Sequence, residues 1–556
     1  MRENITEEIT TSVTKVPNLI YPDGRDINGV IFSREKIEEP SFIRDLDIPY
    51  YLSEIFTELY LAMPVKPDNE PPEGRGRRFA VSLSRLVSMV YSDGVFDTDF
   101  ADYRLDVQEY LMANPESLND LFTFFKTLFS NSHFEDKFLT KNFSLGEFLR
   151  YAEGFKDLIY GFTPFSGDVP KALQELNEHV EHIREGEFLG NLENLLKKID
   201  GGDGTRRGFD VEMVWRCKPD LTPDRVVSAQ IRPTDYDDNE TDIHFDLGQF
   251  NYQKSIHEPT DRAVDAILQR ALDLELGKDG ITIQDQMIES YKLLPQLALY
   301  LAHAMYSSGE TARRRSLQFC RPSFSDEETK VVGAQNLVMS CVQKRDSVGN
   351  PINHSLEESI IVISGPNAGG KSIYLKTIGL MTAMAFKGFY ISAESAMFRG
   401  IDGIYPHFPK EDSTTEEGSK HVNNVNRMNE ISRVATPQSL LLLDEPFDGT
   451  NREMAVTETI DRIKTLARLG CPVFITTHLE EVVNSVENGE IKFTRNDHLG
   501  FSLLDGQFDY TYKLENGPAV MDYNVELARR YGSDESTLNR ELEVRASEQG
   551  FTLRNI

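Results

Sequence analysis

One eight-residue run constrains the fold of this chain more than any other feature: Gly365-Pro366-Asn367-Ala368-Gly369-Gly370-Lys371-Ser372. It has the spacing G-x-x-x-x-G-K-[ST], and its setting matches. The β-branched run Ile360-Ile361-Val362-Ile363 precedes it, and a helical stretch, Ile373–Phe386, follows it. A strand that ends in a glycine-rich turn and re-enters a helix aims several backbone N–H groups, and the positive end of the helix dipole, at one spot. That arrangement binds phosphate. In such a loop Lys371 neutralises the phosphates and Ser372 ligates Mg2+.

Two more apolar runs, Leu440-Leu441-Leu442-Leu443 and Val473-Phe474-Ile475, have the character of strands buried on both faces of a parallel sheet. The first is followed directly by Asp444-Glu445. This places two carboxylates at the C-terminal edge of a strand, where ligands bind in open α/β sheets. Asp444 would hold Mg2+, through water, and Glu445 would orient or polarise an attacking water. Thr476-Thr477-His478 closes the second run, and His478 at a strand end would sense a γ-phosphate by hydrogen bond. The candidate catalytic residues are therefore Glu445, His478 and Lys371. The nucleotide-binding set is Gly365, Pro366, Asn367, Ala368, Gly369, Gly370, Lys371 and Ser372, the metal ligands are Ser372 and Asp444, and the implied ligands are ATP and Mg2+.

Composition narrows the partners. The chain has 556 residues, which at about 150 per domain suggests three or four domains. Lys+Arg is 59 against Asp+Glu 90, a net charge of −31, so the surface as a whole cannot grip phosphate backbones, although a local basic channel is compatible with it. Cys217, Cys320, Cys341 and Cys471 are far apart and form no C-x-x-C pair, which argues against a disulfide framework or a zinc knuckle and fits a reducing cytosol. There is no run of 18 apolar residues, and the N-terminus is polar and acidic, so neither a membrane span nor a secretory signal is expected. The expected location is cytoplasmic.

The expected fold is multidomain: a mostly helical core and lever arm with a small β insert, then an α/β P-loop domain. Residues 1–40 read as an extended lead-in, 41–165 as a helical core, and 166–305 as an arm with its insert near 206–250. Residues 306–344 connect to the α/β domain at 345–532, and 533–556 form a tail. Ile48–Leu61 and Phe79–Val90 carry apolar residues at three- and four-residue spacing and predict helices, with a Pro- and Gly-rich linker, Pro64–Arg78, between them. Its Arg75, Arg77 and Arg78 read as a solvated loop or as an anion contact. Lys171 to about Ile199 reads as one long amphipathic helix with the stripe Leu173, Leu176, Val180, Ile183 and Phe188, broken by Gly201-Gly202-Asp203-Gly204. Alternation at Val211, Met213 and Trp215, at Val227, Ala229 and Ile231, and at Ile243 and Phe245 predicts three short strands, after which helical pattern returns from about Pro259 to Met305. An arm with a tip and a helical hairpin with a decorated loop both fit this layout.

These motifs resemble the ATPase domain of the MutS family, within the wider ABC group of ATPases. The loop form G-P-N-x-G-G-K-S is close to diagnostic, and Gly388-Phe389-Tyr390-Ile391-Ser392-Ala393-Glu394-Ser395-Ala396 resembles the family's G-x-x-V-P-A-E-S-A. Ile401–Tyr405, Asp444-Glu445 with Gly449-Thr450, Thr477-His478, and Tyr510–Leu514 with Gly517 and Val525–Arg529 are similar to the segments that follow. The resemblance covers about 345–532. It implies a homodimer in which each nucleotide lies between one subunit's phosphate loop and the other's signature segment. That segment falls at Gly418–Asn424, with Ser419 as the residue that reaches the partner's γ-phosphate, while His421 and Asn424 stand where the family usually has Phe and Glu. Pro446, Asp522-Tyr523-Asn524 and Gly333–Asn336 also depart from the family pattern. With no mismatch-reading or connector segment visible, the expectation is a shortened MutS-like ATPase of DNA repair or recombination, mismatch repair being the family's setting. Its two arms would embrace double-stranded or branched DNA.

The residues themselves pull against the DNA part of that expectation. The proposed tip holds Asp220, Asp224, Asp235, Asp237, Asp238, Glu240, Asp242 and Asp246 against Arg216, Lys218, Arg225 and Arg232, and a DNA clamp needs the opposite balance. Arg206-Arg207 and Arg313-Arg314-Arg315 are the candidate basic spots, the latter open also to ion pairing within the chain. The rival reading is therefore an ATP-driven switch that grips an unknown protein partner without touching DNA. A transporter ATPase and a non-hydrolysing scaffold fit less well: no membrane-coupling segment is present, and Lys371, Ser372, Asp444, Glu445 and His478 are all intact.

Overall fold

The structure is a computed structural model that describes residues 14–23, 41–61, 77–92, 96–131, 145–200, 209–217, 223–233, 286–287, 289–341, 343, 345–366, 369–409, 417–447, 450–504, 507–519 and 535–553. The chain forms two compact units, one of residues 1–36, 59–87 and 106–305 and the other of 37–58, 88–105 and 306–556.

Among its described residues, the first unit consists of helices and one hairpin. Pro115–Asn131, Leu145–Gly161, Lys171–Glu185, Glu187–Asp200 and Leu293–Ser308 are helices. Aromatic side chains join them: Phe124 meets Phe162 at 5.1 Å and Phe155 meets Phe188 edge-on at 5.9 Å. Arg184 donates to the carbonyls of Ile159 (2.7 Å) and Phe162 (2.8 Å), serving acceptors that the end of helix Leu145–Gly161 would otherwise leave open. The single helix expected over Lys171 to Ile199 is two. Gly186 ends the first with φ −75 and ψ 164, an extended conformation that no helix interior tolerates. Glycine is the residue that gives up helix most cheaply, and here it turns the chain between two stripes: Leu173, Leu176, Val180 and Ile183 on one helix, Leu189, Leu192 and Leu196 on the next.

The hairpin pairs β1 (Phe209–Cys217) with β2 (Pro223–Pro233) antiparallel, in the register Val211↔Ile231 and Met213↔Ala229. Two of the three expected strands are thus present. Ile243 and Phe245 lie outside the described residues, as do Gly201–Gly204, Arg206-Arg207, most of Pro64–Arg78, Asp220, residues 235–246 of the acidic tip and the helical pattern of 259–285.

The second unit is built on sheets. From residue 319 onward its main elements are β3 (Phe319–Cys320), β4 (Ser323–Ser325), β5 (Thr329–Ala334), β6 (Asn350–His354), β7 (Ile360–Ser364) and helix α1 (Lys371–Phe386). Then come β8 (Ile391–Ser392), β9 (Ser395–Arg399), β10 (Gly403–His407), α2 (Glu417–Val434), β11 (Ser439–Asp444) and α3 (Arg452–Leu469). β12 (Val473–Thr477), α4 (Glu480–Glu487), β13 (Thr494–Leu504) and β14 (Gln507–Asn516) complete the order, and a helix with no buried residue, Glu535–Gln549, follows.

The main sheet has six strands in the order β10-β11-β12-β7-β13-β14. All neighbours are parallel except the β13–β14 pair at one edge. Every residue of β7, β11 and β12 is buried, as their unbroken apolar runs predict. Leu441 and Leu443 face a core made with Met428 and Ile431 of α2, Ile463 and Leu466 of α3, and Val482 of α4. Leu442 turns to the other face, where its side chain approaches Gly379 of the almost wholly buried α1. Helices on both faces leave only the strand ends accessible, and function concentrates there.

Candidate active site

Three adjacent parallel strands deliver the candidate residues to one edge. Asp444 of β11 is in register with Thr476 of β12, and Thr476 with Ile363 of β7. The loop after β7, the acids at the end of β11 and the histidine after β12 therefore emerge side by side, although the chain separates them by scores of residues. Beside the loop and the acids lies a cleft of about 590 Å³ lined in part by Gly369, Gly370, Lys371, Ser372, Asp444 and Glu445.

The loop is shaped by glycine. Gly365 has φ +139 and Gly370 φ +89, and Gly370 leads directly into α1. Lys371, the first residue of that helix, is buried. Its ammonium donates to the carbonyls of Gly365 (2.9 Å) and Pro366 (3.0 Å) and lies 3.4 Å from Glu445 Oε1. Asn367 and Ala368 lie outside the described residues.

Glu445 is held from several sides. Its backbone has φ +44, a left-handed conformation costly for a non-glycine residue and concentrated at functional sites. Its N–H donates to Thr476 Oγ1 (3.1 Å), and its Oε2 lies 3.5 Å from His478 Nδ1. Burial works against its ionisation, but the nearby His478 imidazole and the charge of Lys371 outweigh burial and hold its pKa below the usual carboxylate value. Asp444 responds the other way. Burial raises its pKa, only partly opposed by hydrogen bonds from Ser372 and from Thr476, whose hydroxyl donates to Asp444 Oδ1 at 2.6 Å. The structure thus brings together Lys371, Ser372, Asp444, Glu445 and His478. It does not do so for Ser419: that residue lies in α2, but its side chain is outside the described atoms, as are Gly449 and 520–534.

Several contributors were not among the candidate site residues. Thr476 holds both acids at once, and its only sequence signal is a hydroxyl residue at the end of an apolar run. Tyr512 walls the cleft opposite the loop, its ring 3.0 Å from where a side chain on Gly370 would begin. Its own φ is +54, and Asn350 fixes it by donating to the Tyr512 carbonyl (2.9 Å) and accepting from the Leu514 N–H (2.8 Å). Arg314 of the triple-arginine run pairs with Glu310 at 2.5 Å, the internal ion pair that was one of its two readings.

Comparison with known proteins agrees with this geometry. The family model of MutS domain V matches residues 361–547. The DNA mismatch repair protein MutS of Thermotoga neapolitana is 28% identical over 246 residues, 43% of this chain and 30% of the relative. The MutS of Streptococcus mutans is 27% identical over 262 residues, 46% of this chain and 30% of the relative. The endonuclease MutS2 of Thermus thermophilus is 30% identical over 236 residues, 42% of this chain and again 30% of the relative. The chain therefore spans about a third or less of the length of these relatives. Residues 361–547 thus match MutS domain V, and it is the C-terminal half of the chain that is similar to MutS and MutS2 proteins.

Proposed function

We propose that the chain is a MutS-like ATPase that hydrolyses Mg·ATP in the cleft at the sheet edge and uses the nucleotide cycle to move helical arms in DNA repair or recombination. The observation that carries the reading is the convergence on Glu445, within 3.5 Å, of two groups distant in the chain, Lys371 and His478. Buried structural ion pairs seldom combine a glycine-rich anion loop, a strained carboxylate and a histidine at one sheet edge.

The roles follow from the residues. The loop N–H groups and Lys371 bind the phosphates, Lys371 exchanging its two carbonyl partners for phosphate oxygens. Ser372 and Asp444 would hold Mg2+. They offer only hard oxygen donors, and among the described residues no cluster of three acids, histidines or cysteines could hold a metal alone. That donor set suits an ion that completes its shell with substrate phosphates and water. When bound, the metal neutralises charge on the phosphates. Glu445 stays ionised at neutral pH because its pKa is lowered, so it orients the attacking water as a hydrogen-bond acceptor rather than waiting to gain a proton. His478 fixes the carboxylate on one side and contacts the terminal phosphate on the other.

In this reading residues 345–532 are the ATPase domain, 41–165 the helical core, and 166–305 the arm bearing the β1–β2 hairpin. A homodimer completes each site with Ser419 from the second subunit. The relatives' roles in DNA mismatch repair and as an endonuclease favour DNA as the partner. Among the described residues no helix is long and apolar enough to cross a membrane, and we place the protein in the cytoplasm. The test is the ATPase rate with duplex, mismatched and branched DNA across a salt series, Glu445→Gln serving as the blank. Stimulation by one DNA form, fading as salt rises, supports the DNA-embracing reading. Turnover indifferent to every DNA at low salt refutes it in favour of a protein-gripping switch.

A further inference from the structure

A segment far from the motifs ties together the two helices that bear on the nucleotide. Residues 41–47 comprise a short helix, Ser41–Asp45, then Leu46 and Asp47, and belong to the same compact unit as the sheet. Asp47 Oδ2 accepts from Lys376 of α1 at 2.8 Å. On the other side Arg427 of α2 faces three acceptors: Ser41 Oγ (2.9 Å), Asp45 Oδ2 (3.3 Å) and the Pro406 carbonyl (3.2 Å). Between the two ties Leu46 is fully buried, its methyls 2.4 and 2.7 Å from where a side chain on Gly379 of α1 would begin, so glycine there is what admits it. Asp47 adopts φ +59, a strained conformation kept only where its surroundings demand it. Pro406–Phe408 repeats the pattern, because Lys376 also lies over the Phe408 ring at 5.7 Å. Two separate segments are thus each gripped by both Lys376 and Arg427.

The helices so joined are not arbitrary. α1 starts at Lys371 of the phosphate loop, and α2 carries Ser419 near its own start. We propose that Asp45, Asp47, Lys376 and Arg427 are positioning residues of the ATPase site: a strut that fixes the stance of α2, and hence of the Ser419 end it offers to a second subunit, relative to the phosphate loop. This rests on the ATPase reading above. The ion pairs are partly exposed, Arg427 and Asp45 at 37% and 27% and Lys376 and Asp47 at 30% and 25%. Pairs so exposed add little to stability, so their loss registers in turnover rather than in folding.

The test is a double-mutant cycle on Asp45→Asn and Arg427→Gln, with kcat, KM, affinity for a non-hydrolysable ATP analogue and thermal unfolding measured for each protein. Each single variant is expected to lose about tenfold in kcat, the size of a typical coupling between sites. KM and analogue affinity stay within about twofold, because the loop that binds the phosphates is untouched. Unfolding temperatures match wild type, and the double variant is no worse than either single one. Unchanged kcat, additive losses, or losses that track a lowered unfolding temperature overturn the strut. A wild-type protein that neither binds nor hydrolyses ATP overturns instead the ATPase reading on which it rests.

Discussion

Gly388→Ala tests how the chain segment 88–105 is built into the sheet-bearing unit. Gly388 closes α1: its N–H reaches the Ala385 carbonyl at 3.0 Å, and the next N–H, of Phe389, reaches back to Met384 at 3.0 Å. Its φ is +78, and a methyl group there would stand 2.6 Å from Arg104 Cβ and 2.7 Å from the Ala101 carbonyl oxygen. Neither can retreat easily. Arg104 is buried and donates to the Lys387 carbonyl at 2.9 Å, while Lys387 is itself buried with its ammonium 4.7 Å over the Phe96 ring. The left-handed backbone costs an alanine about 1–2 kcal/mol. Overpacking against a backbone oxygen adds about 1–3 kcal/mol. Gly470→Ala separates the two contributions, because Gly470 has φ +77 with nothing within 4 Å of the added methyl and so bears the backbone cost alone. In urea titrations followed by circular dichroism, the midpoint for Gly388→Ala should fall by about twice as much as for Gly470→Ala, or more. Equal shifts would refute the close approach of residues 101–104 to the end of α1.

Three further outcomes follow from the site and its surroundings. Lys371→Ala removes the cation beside Glu445 and the loop carbonyls, and ATP affinity measured by calorimetry should fall at least about 100-fold; affinity within threefold of wild type would remove Lys371 from the phosphate site. Tyr512→Ala deletes an aromatic wall of the cleft and should raise KM for ATP by about two- to tenfold with kcat little changed, whereas a fall in kcat alone would contradict a binding role. His354 is buried edge-on against Phe474, and burial, with Arg399 and Arg495 adding to it, lowers its pKa from 6.5 to about 3. The unfolded chain therefore takes up a proton there near pH 6.5 that the folded chain refuses, so stability falls as pH drops from 6.5 toward 3, by about 1.4 kcal/mol per unit for this one group. His354→Leu should flatten that part of the urea-midpoint profile between pH 6.5 and 5, and an unchanged slope would show that the imidazole titrates normally.

What could be read in advance was whatever the chain writes locally. Ile360–Ile363, Leu440–Leu443 and Val473–Ile475 announce strands because a strand covered on both faces has no polar side to interrupt its run. Ile48–Leu61 is a helix over the residues its spacing predicts. Gly186 was not legible as a break, because the apolar stripe continues through it and one glycine inside a helical pattern often stays helical. The contacts of residues 41–47 were hidden for a different reason. Asp47 and Lys376 stand more than three hundred residues apart, and a long-range ion pair leaves no periodicity behind. The site divides the same way. Its loop, acids and histidine sit at fixed offsets from strand ends, whereas Thr476, Asn350 and Tyr512 take part only because β12 lies beside β11 and because β14 folds back along β13.

The most direct test of the central claim compares Mg·ATP turnover by the wild-type chain and by Glu445→Gln at matched nucleotide occupancy. If Glu445 orients the attacking water between Lys371 and His478, the variant binds ATP as wild type does and turns it over at least about 100-fold more slowly. Equal turnover by the two proteins would mean that the carboxylate at the end of β11 takes no part in hydrolysis, and the account of the site would fall with it.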